Sequence, residues 1–477
     1  MAISLGSENS ARSGNLGSIF SISQADGSGL SWFGIIRLGA VQAAIGAIVM
    51  LTTSLLNRLM VVEYGVAAAI PAALVAWHYG VQLSRPLWGH KSDQASQRSS
   101  WIIAGLAILV IGSLLAVNVT IMMTDPGFKV YLWGIISFAL IGLGVGMSGT
   151  ALLALLASRV SDTRKPAAAA ICWTMMVAGI VVAAGVTGAL LEPFSEARLA
   201  LIASAVALAA FLLAAISLAN VENNSKPVNT EPSRKITQSF QNVLQDIWLD
   251  NEARRFTFFV FMSMLAYSMQ DLILEPFAGF LFEMTPGQST QLAGLQHSGV
   301  LAGMLLAGLG GSLYTKKYGK NLKLWIVGGC AGSALMLAGL SMSAGMADVW
   351  PLRLNVFGLG FANGVFAVAA VSAMLGLASE PAAEGQGSRE GARMGVWGAA
   401  QAIGFGLGGL LGAVIVDLLR SFTGENVTAF QIVFAIEAVL FIAAALVATG
   451  TSLTKNTNTL RRSQQGRETQ LGEVIQS

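Results

Sequence analysis

The chain has 477 residues, 54% of them hydrophobic and only 11% charged, with a formal net charge of +3. A soluble domain carries about 25% charged residues, so this sequence cannot clothe the two or three water-soluble domains its length would suggest, and so small a net charge leaves no nucleic-acid footprint. Two cysteines give no disulfide framework, while 54 glycines within so apolar a chain are the mix expected of closely packed transmembrane helices.

Residues 1–34 are rich in Ser and Gly and lack an apolar run, so they read as a disordered arm with no cleaved signal peptide. Crossing the hydrocarbon core takes about 20 mostly apolar residues. Apolar runs and their polar breaks predict twelve spans near 38–60, 66–84, 101–121, 130–157, 167–191, 198–219, 256–282, 291–313, 324–345, 350–378, 393–418 and 428–449. The expected fold is an all-α polytopic membrane protein. It has a six-helix half at 35–220, a linker at 221–255, a second six-helix half at 256–450 and a polar tail at 451–477. Sorted by the side on which the loops fall, 23 of the 28 Lys and Arg residues lie on one face, which predicts cytoplasmic termini. In the linker, Ile236, Phe240, Val243, Leu244, Ile247 and Trp248 form one apolar helical face. It suits a helix lying on the membrane surface or a docking site for a soluble partner.

The two halves echo each other at an offset of 216–224 residues. His78-Tyr79-Gly80 matches His297-Ser298-Gly299, Gly142-Leu143-Gly144 matches Gly358-Leu359-Gly360, and Trp173, Gly185 and Gly188 match Trp397, Gly409 and Gly412. Such six-plus-six duplication resembles the major facilitator transporters, whose substrate site lies between the halves near midplane. The turn Gly89-His90-Lys91-Ser92-Asp93 followed by Arg98 resembles the conformational latch loop of that superfamily, although Gln94, Ser96 and Gln97 depart from its pattern.

Ionisable groups at helix depth are costly and need a reason. The sequence places Arg58, Glu63, Asp271, Glu275 and Glu437 there. An Arg58–Asp271 or Arg58–Glu275 pair across repeat-related helices is expected, either to fix packing or to couple protons or contact substrate. Glu63 falls near the non-cytoplasmic end, where it can simply be wet. Of three histidines, His90 sits in a loop, whereas His78 and His297 occupy equivalent places within spans. Each can bond a neighbouring helix or, as a neutral imidazole, bind a ligand such as a metallated macrocycle. Cys172 and Cys330 read as small apolar side chains, and the glycine runs at 142–149, 303–311 and 404–412 as helix-packing surfaces. There is no nucleophile–base constellation and no intrinsic metal site, so an enzyme is not expected.

Four stretches carry a more specific resemblance: Leu56-Asn57-Arg58-Leu59-Met60-Val61-Val62-Glu63; Gln270-Asp271-Leu272-Ile273-Leu274-Glu275-Pro276 with Gln296-His297-Ser298-Gly299; Arg393-Met394-Gly395-Val396-Trp397-Gly398-Ala399-Ala400-Gln401; and Glu437-Ala438. From about residue 30 to 450 the chain resembles the PucC/LhaA family of phototrophic bacteria, a branch of the major facilitator superfamily. Within it the sequence looks closest to members associated with bacteriochlorophyll synthesis genes. The resemblance implies a role in assembling light-harvesting complexes by handling or delivering (bacterio)chlorophyll. It also implies a photosynthetic inner membrane, with antenna polypeptides and bacteriochlorophyll synthase as partners and no nucleic acid. His78 or His297 would then supply the magnesium ligand. An ion-coupled transporter of a small solute, using the intramembrane carboxylates, is the competing expectation.

Overall fold

Ser31 opens the first helix: its hydroxyl accepts the Gly34 N–H at 3.2 Å, satisfying a donor that the helix itself leaves free. The computed structural model describes residues 29–85, 88, 97–125, 127–160, 164–222, 249, 251–318, 322–378 and 390–450. Leu30, within the expected arm, is buried, and its N–H bonds the Arg159 carbonyl at 2.7 Å. Gly89, His90, Asp93 and residues 223–248 of the linker lie outside the described residues, as do residues 1–28 and 451–477.

Every element is helical among the described residues. In chain order they are α1 (Trp32–Glu63), α2 (Ala69–Val81), α3 (Arg98–Ile121), α4 (Phe128–Arg159), α5 (Lys165–Leu190), α6 (Glu196–Leu218), α7 (Asn251–Leu281), α8 (Pro286–Tyr318), α9 (Leu322–Ser343), α10 (Leu352–Ala378), α11 (Glu390–Thr423) and α12 (Asn426–Thr449). Ten of the helices are long and apolar enough to cross a membrane. The two that fall short of the twelve expected spans are α2 and α8. Regular α-helix in α2 covers only 13 residues before tightening into a 3-10 turn at Gln82–Ser84. α8 carries Gln288, Ser289, Thr290, Gln291, Gln296, His297 and Ser298 along its first half, which dilutes its apolar character.

Helix α1 packs on α5 and α6, α2 on α4, and α3 on α4 and α6. Six helices later the neighbours recur: α7 packs on α11 and α12, α8 on α10, and α9 on α10 and α12. Contacts α2–α11 and α5–α8 join the two sets. The buried apolar side chains fall mainly into two clusters, one drawn almost wholly from residues 30–221 and the other from 256–448.

One end of the bundle carries Arg98, Arg159, Arg255 and Lys323, and is here the basic end. There Glu222 accepts the Arg98 and Ser99 backbone N–H groups at 3.1 and 3.0 Å, placing a carboxylate on the positive end of α3. Arg98 itself donates to the Ala154 carbonyl at 3.2 Å and to Ser158 Oγ at 2.5 Å, which ties it to α4.

Candidate functional site

Two sequence stretches interlock at the opposite end. In α1, π-helical turns at Leu51–Leu55 and Leu59–Glu63 bracket Leu56–Arg58. In α7, Pro276 has no N–H to give, so the Leu272 carbonyl one turn earlier loses its helical partner. Asn57 Nδ2 fills that vacancy, donating to Leu272 O at 2.7 Å. Beside it, Glu275 accepts hydrogen bonds from the Ser54 hydroxyl, from Ser289 Oγ at 3.2 Å and from Thr290 Oγ at 3.4 Å.

The expected Arg58–Asp271 or Arg58–Glu275 pair does not form. Arg58 is 1% exposed and pairs instead with Glu63 of its own helix. Its second terminal nitrogen donates to the Met284 carbonyl at 2.6 Å. The reason is the π turn: hydrogen bonding in that turn spans five residues, and position 63 comes to lie over position 58. Glu63, expected to be merely wet, is thus the counter-charge. The same end is tied further by Thr285 donating to Glu192 and by Asp417 of α11 accepting the Ala69 N–H of α2 at 2.7 Å. A cavity of about 550 Å³ opens outside these bonds, lined by Val62, Phe280, Asp417, Arg420 and Asn426. In the turn after α1, burial and then the charge of Glu196 push the Tyr64 phenol up to about 12, so it stays a neutral donor to that carboxylate.

The middle of the bundle is different. Gly404, Gly408 and Gly412 press α11 against α7; a methyl group at Gly408 would collide with the Leu265 carbonyl. Ser268 Oγ donates to the Phe405 carbonyl at 2.6 Å and fixes that turn. The Phe405 ring stacks on Tyr79 of α2, with centroids 5.8 Å apart, and meets Tyr267 of α7 edge-on at 5.7 Å. Asp271 lies one turn along α7 from Tyr267, within electrostatic reach of both tyrosines and of Glu437 on α12. Asp271 Oδ1 and both Glu437 carboxyl oxygens are buried without a hydrogen-bond partner among the described residues. The five expected ionisable residues therefore divide into two groups. Arg58, Glu63 and Glu275 are bonded at one end, while Asp271 and Glu437 are unpaired near the centre.

The two histidines also differ. Arg85, which can only donate, bonds Gln82 Oε1, so the Gln82 amide nitrogen faces His78. That nitrogen lies 2.8 Å from His78 Nε2, which must then accept. His78 is 1% exposed and its ligating lone pair is already used. His297 is half-buried and its Nδ1 donates to the Ala293 carbonyl at 2.9 Å. This hydrogen bond fixes the tautomer and leaves Nε2 with a lone pair and no partner among the described residues. Of the two expected ligand-binding candidates, only His297 has the free lone pair a magnesium ion requires. Sequence reasoning missed Gln82, although its position four residues after His78 on the same helix face was a visible signal; His297 has Leu301 there. It also missed Ser54, Tyr79, Tyr267, Phe405 and Asp417.

Lipid-length helices joined by polar groups buried between them define a multi-pass membrane protein, and its fold is that of major facilitator transporters. The structure is similar to a bacterial homologue of the human lysosomal transporter Spinster in an inward-facing, unoccupied conformation (TM-score 0.63, 12% identity, 88% of this chain and 96% of that one). It is also similar to the nucleoside transporter NupG (TM-score 0.60, 17% identity, 88% and 99%). The chain belongs to the PUCC protein family, whose model matches residues 55–456. Its relatives include the bacteriochlorophyll synthase 44.5 kDa chain of Rhodobacter capsulatus, 46% identical over 88% of this chain and 96% of that one. Protein PucC of the same organism is 27% identical over 86% and 90%.

Proposed function

We propose that the chain is a membrane carrier that handles (bacterio)chlorophyll during assembly of photosynthetic light-harvesting complexes, and is not itself an enzyme. The observation that carries this reading is its 46% identity to a protein named as a bacteriochlorophyll synthase chain. Geometry supports it at His297, whose open Nε2 suits the magnesium of a pigment. In this reading the helices form twelve spans in two six-helix halves, supported by the recurring neighbour pattern, with both termini on the cytoplasmic side of the inner membrane. Antenna polypeptides and bacteriochlorophyll synthase are the expected partners, and the pigment is cargo rather than a resident cofactor. Gentle purification from a pigmented host should yield a chain with a bound-pigment absorption spectrum that captures those partners. A pigment-free chain that captures neither partner would overturn the reading.

The unpaired oxygens of Asp271 and Glu437 favour a second reading, an ion-coupled transporter of a small solute. It requires Asp271→Asn to abolish pH-dependent flux in proteoliposomes while the fold survives. Flux that keeps its pH dependence in that variant removes it.

A further inference from the structure

Tyr79, Tyr267 and Phe405 come from three helices and meet where α2 leans on α7 and α11. Tyr267 and Phe405 lie near the middle of α7 and α11. All three rings are half-buried rather than sealed, and so is Asp271. Neither tyrosine hydroxyl has a hydrogen-bond partner among the described residues, and neither is a fully buried group, so each donor stays open to a ligand. Ser268 ties the Phe405 turn to α7, and the glycine face of α11 seats that helix closely against α7.

Flat aromatic faces with open hydroxyl donors suit a planar conjugated ring that carries carbonyl oxygens. Stacking supplies the area, and each hydroxyl supplies one donor. We propose that Tyr79, Tyr267 and Phe405 form a ring-binding surface, with the two hydroxyls donating to carbonyl oxygens on the ring's edge. This deepens the pigment-carrier reading and rests on it. It adds a recognition element that acts on the ring and not on the metal. An organic cation, held by Asp271 against the same aromatic faces, is the competing occupant.

The test uses the full chain in lipid nanodiscs, titrated with bacteriochlorophyll a and with its metal-free form, bacteriopheophytin a. Wild type should bind both, because stacking and hydrogen bonds do not need magnesium. Tyr79→Phe and Tyr267→Phe keep the rings and should each weaken both ligands by about 3–10-fold. One of them should also return a ring carbonyl stretch to its free frequency in resonance Raman spectra. Phe405→Leu should weaken both ligands similarly, and Asp271→Asn should leave both bound. Phe-for-Tyr variants that bind like wild type overturn the ring surface while leaving the pigment reading standing. Loss of binding in Asp271→Asn also overturns it, in favour of the cation. A wild-type chain that binds neither ring overturns both readings.

Discussion

Asp271 and Glu275 stand one helical turn apart on α7, yet they live in opposite surroundings. Glu275 receives three hydroxyl donors, and its neighbouring proline has its lost hydrogen bond replaced by Asn57. Asp271 has a buried oxygen with no partner among the described residues and lies within electrostatic reach of Tyr79 and Tyr267. The first is a packing device: both Glu275 carboxylate oxygens and the carbonyl freed by Pro276 find protein partners. The second leaves its bonding capacity open. Intramembrane polarity is therefore informative about function only after the bonded groups have been subtracted.

Breaking the bonded end should have the largest structural effect. Arg58→Ala removes a buried cation and strands Glu63 and the Met284 carbonyl, costing about 3 kcal/mol. The variant should accumulate poorly in membranes and unfold at lower denaturant concentration in detergent. Asn57→Ala re-exposes the carbonyl freed by Pro276 and should cost about 1–2 kcal/mol in the same assay. Asp417→Ala takes away the bond to the start of α2; a loss of about 1 kcal/mol is expected from the melting curve. Smallest is the effect on pigment of His78→Ala. With its Nε2 engaged by Gln82, that histidine should cost the fold something but leave bound-pigment absorption per folded chain unchanged. Pigment loss in His78→Ala would erase the distinction between the two histidines.

Much of the architecture was legible in the chain. Apolar run lengths gave the helices, and the stretches around Arg58 and Glu275 stood out because charges are rare at such depth. Their partners were not legible. Charge matching across a repeat pointed to Arg58–Asp271 or Arg58–Glu275, but the π turns of α1 rotate side chains in a way that no hydrophobic period records. Serine and threonine hydroxyls, common and unremarked in the sequence, took the carboxylate instead. The repeat likewise made His78 and His297 look equivalent, and a single glutamine one turn away separates them. The mid-bundle aromatics escaped notice because tyrosine and phenylalanine within an apolar helix carry no signal of their own until α2, α7 and α11 bring them together.

The most direct test of a pigment-handling role is the absorption spectrum of the chain purified gently from a bacteriochlorophyll-producing host, wild type beside His297→Ala. The account predicts magnesium-pigment bands that co-migrate with the wild-type chain and fall at least tenfold in the variant, with the folded yield preserved; that is about 1.4 kcal/mol of binding or more. A wild-type chain without pigment, or a variant that keeps it in full, would contradict the account.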